Sequence, residues 1–437
     1  MPAVSRCLAD GTLIELLYDP DTRTTAFAIW RDDKWVVQGE AADEIGKRLV
    51  PFSPDNNLIK NDVVLLPSAP AEYGNEDELL AEVRTFIHRY VDLRLAFEQI
   101  AAHYVLLTWL YDAFNEMPYL RLRGDYGSGK TRALLTLGSL CYKAFFASGA
   151  STVSPIFHIL DAFGGTLIFD EADFRFSDAK AEIVKVLNNG NVRGMPVLRT
   201  MMNRQREFNP QAFQVFGPKI VATRSEYEDK GLESRFLTEE MGGRRLRPDV
   251  PINLPPTFAG EARALRNKLL LYRFRNRKQA ALKEELADPE LEPRANQVLL
   301  PLLSIVSDDG VREMMREAAA GAQADIVAQR GFSPEARVLE VVAELMRTSA
   351  GSIPVALVTA GVAERYGAEY ERPVTNRWIG GLLRRRLNLR TYKRHGVYVI
   401  PAGDRARIEH LCARYDVELP AGASDSAAGG HGDVGTS

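Results

Sequence analysis

Gly124-Asp125-Tyr126-Gly127-Ser128-Gly129-Lys130-Thr131 fits the pattern G-x-x-x-x-G-K-[ST] at every defined position. Just upstream, apolar residues alternate through Tyr119-Leu120-Arg121-Leu122-Arg123, the period of a short strand. Downstream, Arg132 to Leu140 carries Ala and Leu at helical spacing. Strand, glycine turn and helix N-terminus together aim backbone N–H groups at one point, a geometry suited to a polyphosphate. Lys130 is expected to reach the β and γ phosphates, with the Thr131 hydroxyl on Mg²⁺. The expected ligand is a nucleoside triphosphate.

A second motif follows at a telling distance. Thr166-Leu167-Ile168-Phe169 reads as a buried strand ending in Asp170 and Glu171. Asp170 is expected to contact Mg²⁺ through its water shell, and Glu171 to polarise the attacking water. Asp170 lies 40 residues after Lys130 (170 − 130). Asp170-Glu171-Ala172-Asp173 spells the signature of a helicase class built from two tandem domains, but the short spacing and the lack of an H-R-x-G-R motif argue against it. No N-K-x-D base-reading motif is present, which disfavours GTPases.

The 437-residue chain is long enough for two or three domains with full cores. Hydrophobic residues make up 46% and charged residues 26%, ordinary values for a globular protein. With a net charge of −3, any nucleic-acid surface must be local. Three widely spaced cysteines form no zinc motif and fit a reducing compartment. The N-terminus carries no apolar signal core and no run reaches membrane-spanning length, so a cytoplasmic protein with no membrane contact is expected.

Strands are expected at 11–18, 24–30 and 35–38, forming a small β module over residues 1–75. A helical segment, 76–118, leads into a nucleotide-binding core over 119–241. Helices at 261–286 and 296–329 belong to an expected helical lid, 242–332. A compact domain follows over 333–402, then a C-terminal helix and a Gly/Ser-rich tail expected to be disordered, 403–437.

Between the acid pair and the lid, 177–187 reads as an amphipathic helix, and 195–202 with 207–216 as two strands around a turn at Asn203-Arg204-Gln205. Arg199, Arg204 and Arg206 supply positive charge there for phosphates. A third strand, Lys219 to Ala222, ends in Thr223, a polar residue able to contact a γ-phosphate and the attacking water. Leu232-Glu233-Ser234-Arg235-Phe236 then places Arg235 too far along the chain to serve its own phosphate loop.

Together these motifs, in this order, resemble the AAA+ ATPases, and within them the clade with a β-hairpin before the sensor-1 strand. Minichromosome-maintenance helicases, superfamily-three helicases and phage or plasmid primase-helicases belong to that clade. The resemblance covers about Glu76 to Asp309. It implies an α/β phosphate-loop fold with a helical lid. It identifies Gly124 to Thr131 as Walker A, Asp170 and Glu171 as Walker B, and Thr223 as sensor 1, a role Arg224 could share. Arg235 becomes an arginine finger acting on a neighbouring subunit. Arg294, before a Leu-rich helix, becomes the sensor-2 candidate contacting nucleotide, with Arg263, Arg266 and Arg273 as competitors. A homo-oligomeric ring, hexameric in this clade, with hairpins in its pore on single-stranded DNA is implied as well.

Residues 333–401 read as a winged helix-turn-helix, with helices at 334–347, 354–366 and 374–387. The third helix is expected to bury Trp378, Ile379 and Leu382 and to expose Arg377, Arg384, Arg385 and Arg386. A hairpin follows, with Lys393-Arg394-His395-Gly396 at its tip. Between Arg372 and Gly403 there are eight Lys or Arg residues and no acid, a basic face suited to duplex DNA. The expected whole is an ATP-driven DNA motor, a helicase or translocase of a mobile element or phage. The alternatives are an ATP-controlled DNA-binding regulator that unwinds nothing, and a protein-remodelling or defence-associated NTPase.

Overall fold

Short, unbroken apolar runs are buried on both faces of a sheet, and helical crossovers between them make that sheet parallel. The computed structural model describes residues 1–149, 151–170, 177–202, 208–227, 229–243, 245–331, 333–348, 351–370 and 372–418. Glu171, Arg204, Arg206 and the Gly/Ser-rich tail lie outside them. The chain divides into two units, Met1–Ala322 and Gln323–Ser437.

The first unit opens with β1 (Leu13–Asp19), β2 (Thr24–Arg31) and β3 (Lys34–Gln38), an antiparallel meander edged by the short strand Ser5–Cys7. Helices α1 (Glu76–Tyr90) and α2 (Leu95–Leu110) follow. Asn75 starts α1 by accepting from Glu78 N, and three acids in the first turn complement the helix dipole. Helix α2 is buried almost throughout, as a helix apolar on all sides must be.

The central layer contains β4 (Tyr119–Arg123), α3 (Lys130–Gly138), β5 (Phe145–Ser148), α4 (Val153–Phe163), β6 (Leu167–Asp170) and α5 (Ser177–Asn189). An antiparallel hairpin of β7 (Val197–Met202) and β8 (Phe208–Phe213) comes next, then β9 (Lys219–Thr223) and β10 (Phe236–Glu240). The sheet runs β10-β4-β9-β6-β5 with every pair parallel, an α/β phosphate-loop architecture. Strand β9 therefore sits between the strand feeding the glycine loop and the strand ending in Asp170.

Helices α6 (Phe258–Asn276), α7 (Pro293–Ile305) and α8 (Asp309–Gly331) complete the run. Two expected helices are shortened or divided. The one expected to reach Leu286 stops at Asn276, whose amide donates to the Tyr272 carbonyl and satisfies a helix-end acceptor. The one expected over 296–329 breaks after Ile305, because Asp308 accepts from Gly310 N and Val311 N and starts a new helix.

Leu13, Leu17 and Ala28 of the N-terminal meander share one core with Val83, Trp109 and Leu269 of the helices. A buried charge network crosses the same junction. Glu15 on β1 accepts from Tyr142 Oη at 2.8 Å and Arg273 Nε at 2.7 Å, with Lys143 Nζ at 3.2 Å. Arg273 also grips both oxygens of Asp112 at 2.8 and 2.9 Å. Burial alone would raise the Asp112 pKa; Arg273 and Arg277 overcome this and hold it well below the usual carboxylate range.

Gln323–Ser437 has its own core. Helices α9 (Pro334–Thr348), α10 (Val355–Tyr366) and α11 (Asn376–Arg385) precede the hairpin β11 (Tyr392–Arg394) and β12 (Val397–Ile400), and α12 (Arg405–Arg414) closes it. Val338, Leu339, Val358, Ile379, Leu383 and Ile400 meet inside. Trp378 departs from its expected burial and is 38% exposed. Side chains lean toward a helix N-terminus, so a first-turn residue such as Trp378 overhangs the helix end. Lys393 and Arg394 lie on β11, leaving the tip to His395 and Gly396, both at positive φ. Among the described residues no helix is long and apolar enough to cross a membrane.

At the N-terminal edge of the parallel sheet, Lys219 is completely buried. Its ammonium donates to Gly190 O at 3.2 Å, Val215 O at 2.9 Å and Gly217 O at 2.9 Å, over the Tyr119 ring. Gly190 precedes the β7–β8 hairpin, and Val215 and Gly217 follow it, so one cation fastens both feet of the hairpin to β9. Burial lowers its pKa to about 7. In the unfolded chain the ordinary value is about 10.4, so its contribution is complete above that pH and lost as pH falls through about 7. The stability gap between wild type and Lys219→Met should widen from pH 7 to pH 9, read from urea unfolding midpoints; a gap independent of pH contradicts this.

Candidate functional site

Arg123, Thr223 and Glu240 stand side by side at the C-terminal edge of the sheet, and Asp170 pairs with Ala222 beside them. The glycine loop leaves β4 here. Gly127 and Gly129 have φ of +71° and +91°, a region L side chains rarely adopt, and Gly129 caps α3. A Cβ on Gly124 would lie 2.5 Å from the Met241 carbonyl oxygen, so that position admits no side chain. The loop is thus held as a backbone cradle open at the N-terminus of α3.

Lys130 Nζ donates to Gly124 O and Asp125 O, both at 2.7 Å, and to Ser128 Oγ at 3.3 Å, which keeps the ammonium inside the ring of the loop. Burial lowers its pKa, Asp170 raises it, and Arg224 lowers it again. Thr131 Oγ1 donates to Asp170 Oδ2 at 2.8 Å, bringing together the two residues expected to share a metal. A hydroxyl and a carboxylate oxygen are hard ligands of the kind Mg²⁺ takes. Thr223 is 1% exposed, and its Oγ1 is buried with no hydrogen-bond partner among the described residues. An orphaned hydroxyl beside this backbone cradle fits a missing acceptor.

Arg224, read from the motifs only as able to share the role of Thr223, joins the loop together with three residues that no motif marks, Met241, Gly242 and Arg132. Arg224 stacks over the Tyr126 ring at 3.5 Å to the centroid, bringing a second cation to the loop. Met241 and Gly242 form its outer wall, where Gly242 at φ +88° approaches Ser128 so closely that an added Cβ would stand 2.7 Å from Ser128 Cβ. Arg132, in the first turn of α3, donates to the Pro251 carbonyl at 2.9 Å and draws the 251–252 segment toward the loop. The Gly242-Gly243 pair after a strand was the available signal for the wall.

Arg235 lies at the other end of the sheet, before β10, where Tyr119 N donates to its carbonyl. Five residues of β4 separate it from the loop, roughly 16 Å. Its guanidinium donates to Asn188 O at 3.0 Å and Asn188 Oδ1 at 2.6 Å, capping the C-terminus of α5. Burial lowers its pKa, and the charge of Arg294 lowers it further. Helix α7, which carries Arg294, is tied to this edge, since Gln297 donates to Glu116 Oε1, just before β4. The competing arginines are occupied: Arg266 on Ser139 O, Arg273 on Glu15 and Asp112, and Arg263 toward Asp21.

Arg199 also takes a different task from phosphate contact. It pairs with Glu182 at 2.8 Å and lies over the Phe157 ring, packing the hairpin onto α4 and α5. In the second unit Arg377, Arg385 and Arg386 line a groove on α11, Arg384 donates to Thr391 Oγ1 at 3.0 Å, and Lys393 and Arg394 are exposed on β11.

No family model matches the chain, and no curated protein matches it in sequence. In shape it is similar to the C-terminal region of NrS-1, at 13% identity and a TM-score of 0.38 over 89% of this chain and 96% of that one. It is also similar to a JCV helicase, at 14% identity and a TM-score of 0.23 over 58% of this chain and 62% of that one. Cdc6p from Pyrobaculum aerophilum follows, at 13% identity and a TM-score of 0.17 over 79% and 96%. Scores this low carry no activity over to this chain.

Replacing Thr223 by Val removes the orphaned hydroxyl at nearly constant shape. Because the buried group has no protein partner to lose, the thermal midpoint should stay level or rise. A clear fall in a calorimetric scan would mean that the hydroxyl is bonded in the folded protein.

Proposed function

We propose that this chain is an ATP-hydrolysing motor of the AAA+ kind that acts on DNA, working as a ring of identical subunits, hexameric by resemblance. The observation that carries the reading is the Thr131–Asp170 contact at 2.8 Å in the mouth of a glycine cradle, beside the buried Thr223 hydroxyl. Thr131 and Asp170 would hold Mg²⁺, and Lys130 with the loop N–H groups would hold the phosphates of ATP. Bound ATP and Mg²⁺ supply the phosphoryl-transfer chemistry that drives the motor. Thr223 would donate toward the γ-phosphate, and Glu171 would polarise the attacking water. Arg224, at the loop, would add positive charge beside the phosphates as charge shifts during transfer.

Arg235 and Arg294 cannot serve the loop of their own subunit from the opposite edge of the sheet. Arg235 precedes β10 at that edge and the helix carrying Arg294 is tied there through Gln297 and Glu116, which supports a joint role at the loop of the next subunit. An arginine supplied in this way is worth ~10³ to 10⁵ in rate. Cations placed at one edge and phosphates bound at the other make each subunit half of two sites, which fits a head-to-tail ring. The β7–β8 hairpin, with Arg204 and Arg206 in the stretch of sequence between its strands, is assigned to single-stranded DNA in the pore.

The second unit is assigned as a winged helix that engages duplex DNA. Its order of three helices and a hairpin, with Arg384, Arg385, Arg386, Lys393 and Arg394 on α11 and the hairpin side, supports this. An origin in a mobile element or phage rests on resemblance alone.

Lys130→Ala and Arg235→Ala should each abolish DNA-stimulated ATP hydrolysis while the fold survives by circular dichroism. Mixing the two variants should restore part of the activity, since a mixed interface can combine an intact loop with an intact arginine. Wild-type protein that hydrolyses ATP but never displaces a strand from forked DNA would sink the helicase reading and favour the regulator. Neutralising Arg384, Arg385, Lys393 and Arg394 together should weaken duplex binding and flatten its salt dependence by ~0.9 per lost phosphate contact. Unchanged duplex binding would move the second unit to a protein partner.

A further inference from the structure

Trp378 is a large apolar side chain left 38% exposed beside a groove of about 510 Å³ in the second unit. Its ring is braced by Tyr370 in an edge contact, with centroids 5.1 Å apart and planes at 64°. Thr375 fixes the turn that presents it by accepting from Trp378 N at 3.3 Å. Arg377, Arg385 and Arg386 line the same groove, facing Pro334 and Glu335 at the start of α9. Glu335 lies 3.9 Å from Arg386, so three guanidiniums meet one carboxylate and the groove keeps a positive excess.

We infer that this groove binds one unpaired nucleotide of a nucleic-acid strand, its base stacked on Trp378 and its phosphates on Arg377 and Arg385. The inference rests on the nucleic-acid reading of the second unit and adds a site to it. Arginines alone would suit any phosphate, including those of a duplex. An exposed indole asks for a flat partner, and a paired base within a duplex has both faces covered by its neighbours. An unpaired base offers a free face, and stacking on an aromatic ring accepts every base. The volume falls in the usual range for a small-molecule pocket, ~300 to 1,000 Å³, enough for one nucleotide and too small for a duplex. Arg377 and Arg385 are eight residues apart on α11, about 12 Å along its axis, so they can hold the backbone on either side of the stacked base. In a motor working at a fork, such a site marks the junction at which the first base leaves the duplex.

The test uses the full chain and forked DNA carrying 5-iodouracil either in the single-stranded arm beside the junction or inside the stem. Irradiation and peptide mapping should place a cross-link on Trp378 from the arm and not from the stem. In fluorescence anisotropy without ATP, Trp378→Ala should weaken binding of a short single-stranded oligonucleotide about fivefold or more, with duplex binding unchanged. Trp378→Phe should retain most of the affinity, since a smaller ring still stacks. Duplex binding retained with no arm cross-link on α11 overturns the inference alone and leaves the groove to an acidic protein segment. Equal loss of duplex and single-strand binding in Trp378→Ala overturns it as well, by making the tryptophan merely structural. Absence of any nucleic-acid binding sinks both this inference and the reading beneath it.

Discussion

Strand β4 is hydrogen-bonded in parallel register to β9 on one side and β10 on the other, and most of the functional layout follows from that pairing. One end of the register gathers Arg123, Thr223 and Glu240 around the loop; the other gathers Tyr119, Lys219 and Phe236 beside Arg235. A parallel sheet has two chemically different edges, because every strand ends in the same direction. Phosphate-binding N–H groups collect at the C-terminal edge, where helices begin. Cations placed at the N-terminal edge are kept from the glycine loop of their own chain by the length of the strand.

Buried charge holds this arrangement at both flanks. Lys219 fastens the feet of the β7–β8 hairpin to the strand that ends at Thr223. The Glu15–Arg273–Asp112 network fastens β1 to α6. Each buries polar groups that would be costly unpaired, and each satisfies them with several close partners. The consequence is mechanical: the hairpin and β9 share a rigid base, and α6 is bound to the N-terminal sheet as well as to the helices around it.

Local pattern made much of the fold legible. The meander, the glycine loop, β6, α5, the hairpin and β9 lie within a few residues of their expected ends, since each has a clean period and a turn at its boundary. Helix ends were less visible. Asn276 and Asp308 stop or start helices through side-chain hydrogen bonds that apolar periodicity does not register. Trp378 was misread for a related reason: its spacing matched the buried face, but its place in the first turn carried it past the end of the core. Arg199 reads in the sequence as a cation for phosphates and in the structure pairs with Glu182 and lies over Phe157, partners supplied by neighbouring helices.

Sequence alone determined the chemistry of the loop, because Gly124, Gly127, Gly129, Lys130 and Thr131 act through backbone conformation and short-range geometry within eight residues. It also determined the parallel α/β class, since buried runs separated by helices have few other ways to pair. Only the tertiary structure decided which distant side chains join the loop. Asp170, Thr223, Arg224, Met241 and Gly242 reach it through strand order and register, while Arg235 is sent to the far edge by the same register. Strand order is set by how the buried faces pack together, a sum over the whole core that no single stretch of sequence records.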